Sequence, residues 1–171
     1  VLAQQDLRRR CGGDDFWSSA GPLKSVINSC WPTQQPVKLV DRMLPGPAGR
    51  RRRWTAADQL LVDEANTLLN GTPFTYGHVI VDEAQDHSAV ALRVIGRRSP
   101  SGSITMVGDV AQSTTPAGQE RWADVFAHLA ADGSVADLTI GYRVPEPILD
   151  VANRLLPLTG VDTVASRSVR A

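Results

Sequence analysis

Several things are scarce in this chain, and each scarcity excludes something. Aromatic residues make up 5% of the 171 positions, so a core must be built mainly from aliphatic side chains. There are two cysteines, Cys11 and Cys30, and they form no Cys-x-x-Cys pair. A zinc ribbon or a thiol redox motif is therefore absent from the text of the chain. A bridge or a metal site using both cysteines stays open beside the plainer expectation of two reduced thiols. No apolar run approaches the roughly 20 residues that span a bilayer, so no membrane partner is expected. Net charge is zero, with 18 basic and 18 acidic residues, which removes any overall attraction to nucleic acid. The opening Val-Leu-Ala-Gln-Gln-Asp has neither an initiator Met nor the layout of a signal peptide. With the equally abrupt Ser-Arg-Ser-Val-Arg-Ala at the other end, the expectation is an internal piece of a longer protein.

What is present points to a globular chain. Apolar residues are 42% and charged residues 21%, and the length suffices for one sizeable core. Charge is unevenly spread: residues 1–75 hold ten Lys/Arg against seven Asp/Glu, and residues 76–171 hold eight against eleven. Residues 1–53 are loop-rich. Arg8-Arg9-Arg10 runs into a Cys-Gly-Gly turn, Leu23 to Ser29 suits a short helix, and Val37 to Val40 suits a short strand. Pro32, Pro36, Pro45 and Pro47 forbid long elements between them. The run Arg50 to Arg53 would meet either solvent or a nucleic-acid backbone. From Trp54 the signals sharpen. Thr55 with Asp58 forms a capping-box pattern, Leu61, Ala65, Leu68 and Leu69 share a helical face, and Asn70-Gly71 supplies the stop. This helix is expected to pack on a sheet beginning near Tyr76.

The chain is organised around His78-Val79-Ile80-Val81-Asp82-Glu83-Ala84-Gln85-Asp86. Three β-branched residues without alternation read as a strand buried on both faces, the habit of parallel sheets. The carboxylates fall where the strand ends, and ligands of open α/β sheets sit outside the carboxyl ends of strands. There Asp82 could hold Mg²⁺ and Glu83 could deprotonate an attacking water. The plainer reading is a strand end followed by acids at a helix N-terminus. A helix over Ser88 to Arg98 leads to a second buried strand, Ile104 to Val107, which ends at Gly108-Asp109. About twenty residues with a helix between two strands suit a parallel crossover. A polar loop, Val110 to Gln119, precedes a helix carrying Trp122, Val125, Phe126 and Leu129, with Gly133 as its stop. A third strand, Leu138 to Ile140, ends at Gly141-Tyr142-Arg143. Pro145 and Pro147 open a last helix whose Ile148, Val151, Ala152, Leu155 and Leu156 should face the core. Three strand tips thus carry polar groups: Asp82/Glu83/Gln85, Asp109/Gln112 and Tyr142/Arg143.

These residues resemble a family. Asp82-Glu83-Ala84-Gln85-Asp86 is similar to the Walker B segment, motif II, of UvrD/Rep-type superfamily 1 helicases. Val107-Gly108-Asp109-Val110-Ala111-Gln112-Ser113 resembles motif III, and Leu138 to Arg143 resembles motif IV. The resemblance covers roughly residues 54–157, in the family's order and spacing; texture around Trp54 to Gln85 resembles HelD-like proteins. It implies an α/β chain, an incomplete RecA-like P-loop NTPase half-domain with a parallel sheet flanked by helices. Residues 1–53 would end an inserted subdomain, 54–136 would be the second half of a first RecA-like domain, and 137–171 the entry to a second. ATP and Mg²⁺ would be bound, in the cytoplasm. Asp82 would hold the metal and Glu83 would be the general base. Gln112 would sense the γ-phosphate, and Arg143 would reach it across the cleft, a planar guanidinium suiting spread phosphoryl charge. Gln85, Asp109 and Tyr142 would line the nucleotide, Tyr142 stacking on adenine. The plainer alternatives are a core aromatic for Tyr142, a loop-capping amide for Gln112 and a surface ion pair for Arg143.

The departures are informative. No Gly-x-x-x-x-Gly-Lys-Ser/Thr occurs in the 171 residues, so the phosphate cradle and its lysine are missing from them. The family's later motifs are missing too. Motif III usually continues Ser-Ile-Tyr with a base-stacking Trp soon after; here it continues Ser113-Thr114-Thr115-Pro116, and Trp122 lies on an apolar helix face. Gly141 stands where Asn is usual. Two expectations follow: part of an ATP-driven helicase or translocase acting on DNA, or part of a HelD-like ATPase that remodels RNA polymerase complexes. A non-hydrolysing scaffold is the blandest reading.

Overall fold

In the computed structural model the described residues are 29–30, 32–44, 46, 53–161 and 163–170. They fall into two compact units, divided after Pro73. The expected helix at 23–28, the basic run at 50–52 and Cys11 lie outside the described residues. Cys30 is an exposed free thiol. Among the described residues no helix is long and apolar enough to cross a membrane.

Among the described residues of the first unit, two helices pack together, α1 (Pro36–Met43) and α2 (Ala56–Asn70). Val37 to Val40 is therefore helical, not the strand that its short apolar run suggests. Proline at the first helical position supplies a pre-set φ and lacks only an N–H that would have no partner there. Arg42 then reaches back one face to donate to Gln34 Oε1 at 2.8 Å, and Val40 is the buried residue. In α2 the capping box forms as its sequence pattern implies. Thr55 Oγ1 accepts from the Asp58 N–H at 3.2 Å, and Asp58 Oδ2 accepts from the Thr55 N–H at 2.9 Å. Gly71, at φ 88°, ends the helix with its N–H on Thr67 O. Of the expected apolar face Ala65 is buried, whereas Leu68 is exposed.

The second unit is two strand–helix–strand modules in tandem, a mixed helix and strand arrangement with two small parallel sheets. In the first module, β1 (Val79–Val81) pairs in parallel with β2 (Ile104–Met106), with Ile80 opposite Thr105. The crossover is α3 (Ala89–Arg98), capped by Ser88 Oγ accepting from the Ala91 N–H at 3.3 Å. α4 (Trp122–Leu129) packs against α3. Leu92, Val125 and Leu129 form the buried centre there, and Ile95, Ile104, Met106 and Trp122 close around it. α4 stops before Gly133: Ala130 takes the left-handed conformation, φ 54°, and its N–H reaches Ala127 O and Phe126 O. Gly133 instead lies against the Phe126 ring.

In the second module, β3 (Ile140–Gly141) pairs in parallel with β4 (Arg167–Ser168) across α5 (Glu146–Thr159). β3 was expected at the entry to a second domain; it lies in a separate sheet from β1 and β2. β3 also starts two residues later than its sequence suggests, and Leu138 is 85% exposed. The apolar face of α5 departs from expectation as well. Ile148, Val151 and Leu155 are exposed, and α5 buries no residue fully. A pair of two-residue strands is too small to cover a helix of four turns.

Candidate functional site

The site grows from the ends of β1 and β2. The parallel ladder continues past both strands: the Val107 N–H donates to Val81 O at 2.8 Å, and the Ala84 N–H to Val107 O at 2.9 Å. The chain then turns sharply. Glu83 sits in the left-handed region, φ 50° and ψ 45°, which a residue with a Cβ seldom adopts. A single 3₁₀ turn, Ala84–Asp86, follows. On the neighbouring strand a matching 3₁₀ turn, Val110–Gln112, follows Asp109. Two parallel strands with equivalent tips thus place the Asp82–Asp86 and Asp109–Gln112 segments side by side.

A chain of hydrogen bonds joins them. Gln85 is 1% exposed and spans the gap between the strands. Its Nε2 donates to Glu83 Oε2 at 2.8 Å, and its Oε1 accepts from the Asp109 N–H at 3.0 Å. The Asp109 carboxylate holds its own turn. Oδ1 accepts from the Ala111 N–H at 2.9 Å, and Oδ2 accepts from Gln112 Nε2 at 2.6 Å. The series Glu83–Gln85–Asp109–Gln112 is continuous. Gly108 makes it sterically allowed, because a Cβ there would fall on Gln85 Oε1 and 2.9 Å from the Ala84 nitrogen. Gln85 is thus buried behind the two tips, whereas Asp109 is half-buried. Gln112 is in this state a loop-capping amide, though an exposed one.

Asp82 is exposed, with Oδ1 accepting from the Glu83 N–H at 2.9 Å. Among the described residues no cluster of three His, Cys, Asp or Glu side chains could hold a metal by itself. Mg²⁺ is commonly bound through one or two carboxylates, with waters and substrate phosphates completing the octahedron, so a site of that kind needs no such cluster.

Tyr142 is 72% exposed, so it is not a core aromatic. Arg143 is exposed, and its side chain forms no ion pair among the described residues; its carbonyl accepts from Arg170 Nη1 at 2.9 Å. Tyr142 and Arg143 follow β3, and no hydrogen bond among the described residues links them to the Glu83–Gln112 series. Hydrogen bonds thus join the first two strand tips, and none among the described residues joins the third to them. A cavity of about 1090 Å³ beside β2 is lined by Asp109, Gln112 and apolar side chains of α4 and α5, among them Phe126 and Leu149. Asp82, Glu83 and Arg143 do not line it. Trp122 packs on the buried centre, the core role its helix face implies.

Sequence reasoning gave no role to three residues that fasten this site. Asp86 accepts from Thr114, and Gln119, which is 7% exposed, donates its N–H to Gln85 O at 2.7 Å and its Nε2 to His87 O at 3.0 Å. The one signal in the sequence was the change from Ile-Tyr to Thr114-Thr115, which adds hydroxyls beside an acid. A scan of protein-family models found no match to this chain, and neither did a search of curated proteins.

Proposed function

We propose that the chain is part of an ATP-dependent helicase or translocase that couples ATP hydrolysis to movement on nucleic acid, DNA in the first instance, in the cytoplasm. The observation that carries this reading is the continuous series Glu83–Gln85–Asp109–Gln112 across the tips of two parallel strands. Such a series ties a candidate base to a candidate phosphate sensor, so that a change at one is felt at the other. In this reading residues 54–136 belong to a first RecA-like domain and 137–171 to the start of a second. Mg²⁺ on Asp82 would neutralise phosphate charge. Glu83 orients and deprotonates the attacking water, Gln112 faces the γ-phosphate, and Tyr142 and Arg143 close on the nucleotide from the second domain. The Glu83 carboxylate is held by a neutral amide, which orients it without a competing cation.

A second reading keeps ATP and Mg²⁺ but makes the output remodelling of an RNA polymerase complex. Two observations favour it: Thr114-Thr115-Pro116 stands in the motif III loop, and Trp122 packs against the buried centre. A duplex-unwinding assay on the full-length protein, run beside a polymerase pull-down, separates the two.

The test of the shared chemistry is Glu83→Gln in the full-length protein. ATP hydrolysis falls by at least about a hundredfold, as expected for loss of a general base, while ATP affinity stays within about twofold. Loss of nucleotide binding instead would remove the assigned role. The 171 residues alone, which contain no phosphate cradle, turn over no ATP.

A further inference from the structure

We propose that Asp86 and Thr114 are positioning residues: a clasp that holds the Gln112-bearing segment in register with Glu83. This rests on the ATPase reading above. The geometry is a bracket. Gln112 lies in a short turn whose upstream end, Asp109, is tied to Gln85, and whose downstream end, Thr114, is tied to Asp86. Two consecutive residues of one strand tip thus grip both ends of the other. Asp86 Oδ1 accepts from the Thr114 N–H at 2.9 Å, and the Thr114 hydroxyl lies 3.2 Å from each carboxylate oxygen. Thr115 Oγ1 donates to the Asp86 carbonyl at 3.2 Å. Further along, Gly118 packs so closely that a Cβ would meet Ser113 Oγ and, at 2.6 Å, Gln85 O.

The chemistry suits positioning rather than catalysis. Both carboxylate oxygens of Asp86 are turned toward Thr114, which suits a tie between two segments. Bonds to an ionised acceptor are short and directional, and two from one residue fix orientation as well as distance. The upstream tie alone would leave Gln112 on a hinge at Ser113. With both ties, the turn moves only when motif II moves. The hydroxyl at position 114 is this chain's own solution, because the motif III pattern it resembles carries an isoleucine there.

The experiment uses the full-length protein with Thr114→Val, which removes the hydroxyl and keeps shape and backbone N–H, Thr114→Ser as the conservative control, and Asp86→Asn. The readouts are kcat and KM for ATP, a thermal melt, and hydrogen exchange over residues 109–119. Misplacing a group near the reacting atoms lowers kcat by about tenfold or more, with KM within about twofold, for Thr114→Val and Asp86→Asn. Thr114→Ser restores kcat to within about twofold, and exchange of the segment rises in the two defective variants alone. If the wild type hydrolyses ATP and Thr114→Val leaves kcat unchanged, the clasp is overturned and the ATPase reading stands. If Thr114→Val lowers the melting temperature but neither kcat nor exchange protection moves, the contact is structural only and the proposal fails. A wild type that hydrolyses no ATP overturns both.

Discussion

At the scale of single residues, the site depends on one backbone conformation. Glu83 holds a left-handed φ of 50° at the point where β1 gives way to the 3₁₀ turn. That conformation costs an L-residue roughly 1–2 kcal/mol, and glycine almost nothing. Replacing Glu83 by glycine should therefore leave a protein about 1 kcal/mol more stable than replacing it by alanine, since both lose the carboxylate and one keeps the strain. Urea denaturation of the two variants makes the comparison, and equal midpoints would show that the turn carries no strain. The positions of Asp82 and Glu83 were legible in the sequence because a β-branched run states where its strand ends. The clasp was not, because Asp86 and Thr114 are 28 residues apart and meet only once β1 and β2 find their register. Tyr142 could be read either way for a similar reason: burial depends on neighbours that spacing does not name.

At the scale of elements, local chemistry was the reliable guide. The Thr55/Asp58 box and the Ser88 cap form because their partners lie within three residues. Helix ends without such signals were harder. α4 ends at Ala130, a residue poorly suited to φ 54°, and Gly133 drew the prediction because glycine usually occupies that role. Ala130→Gly should stabilise the chain by about 1 kcal/mol, read as a rise in thermal midpoint, because the cap conformation then carries no Cβ penalty. A fall would show that the alanine methyl contributes packing. α1 misled for another reason. Val-Lys-Leu-Val reads as alternation over so short a window, and the proline that sets its helical start lies just before it.

At the scale of the molecule, the first strand–helix–strand module was foreseeable from its order, whereas the strand that pairs with β3 was not. Sequence spacing predicts that a strand, a helix and a strand form a unit; it does not say which units share hydrogen bonds. β4 was missed outright, since Arg167 and Ser168 carry no strand signal and are recruited only because the Arg167 N–H finds Thr139 O at 2.9 Å. The narrowness of both sheets has a consequence for the purified chain. A sheet of two strands leaves each with an outward row of N–H and C=O groups open to pairing among the described residues, and Ile80 lies 72% exposed between them. With a net charge of zero, no long-range repulsion keeps copies apart. Light scattering of the isolated chain should therefore report particle mass rising with concentration, and added salt should do little to change it.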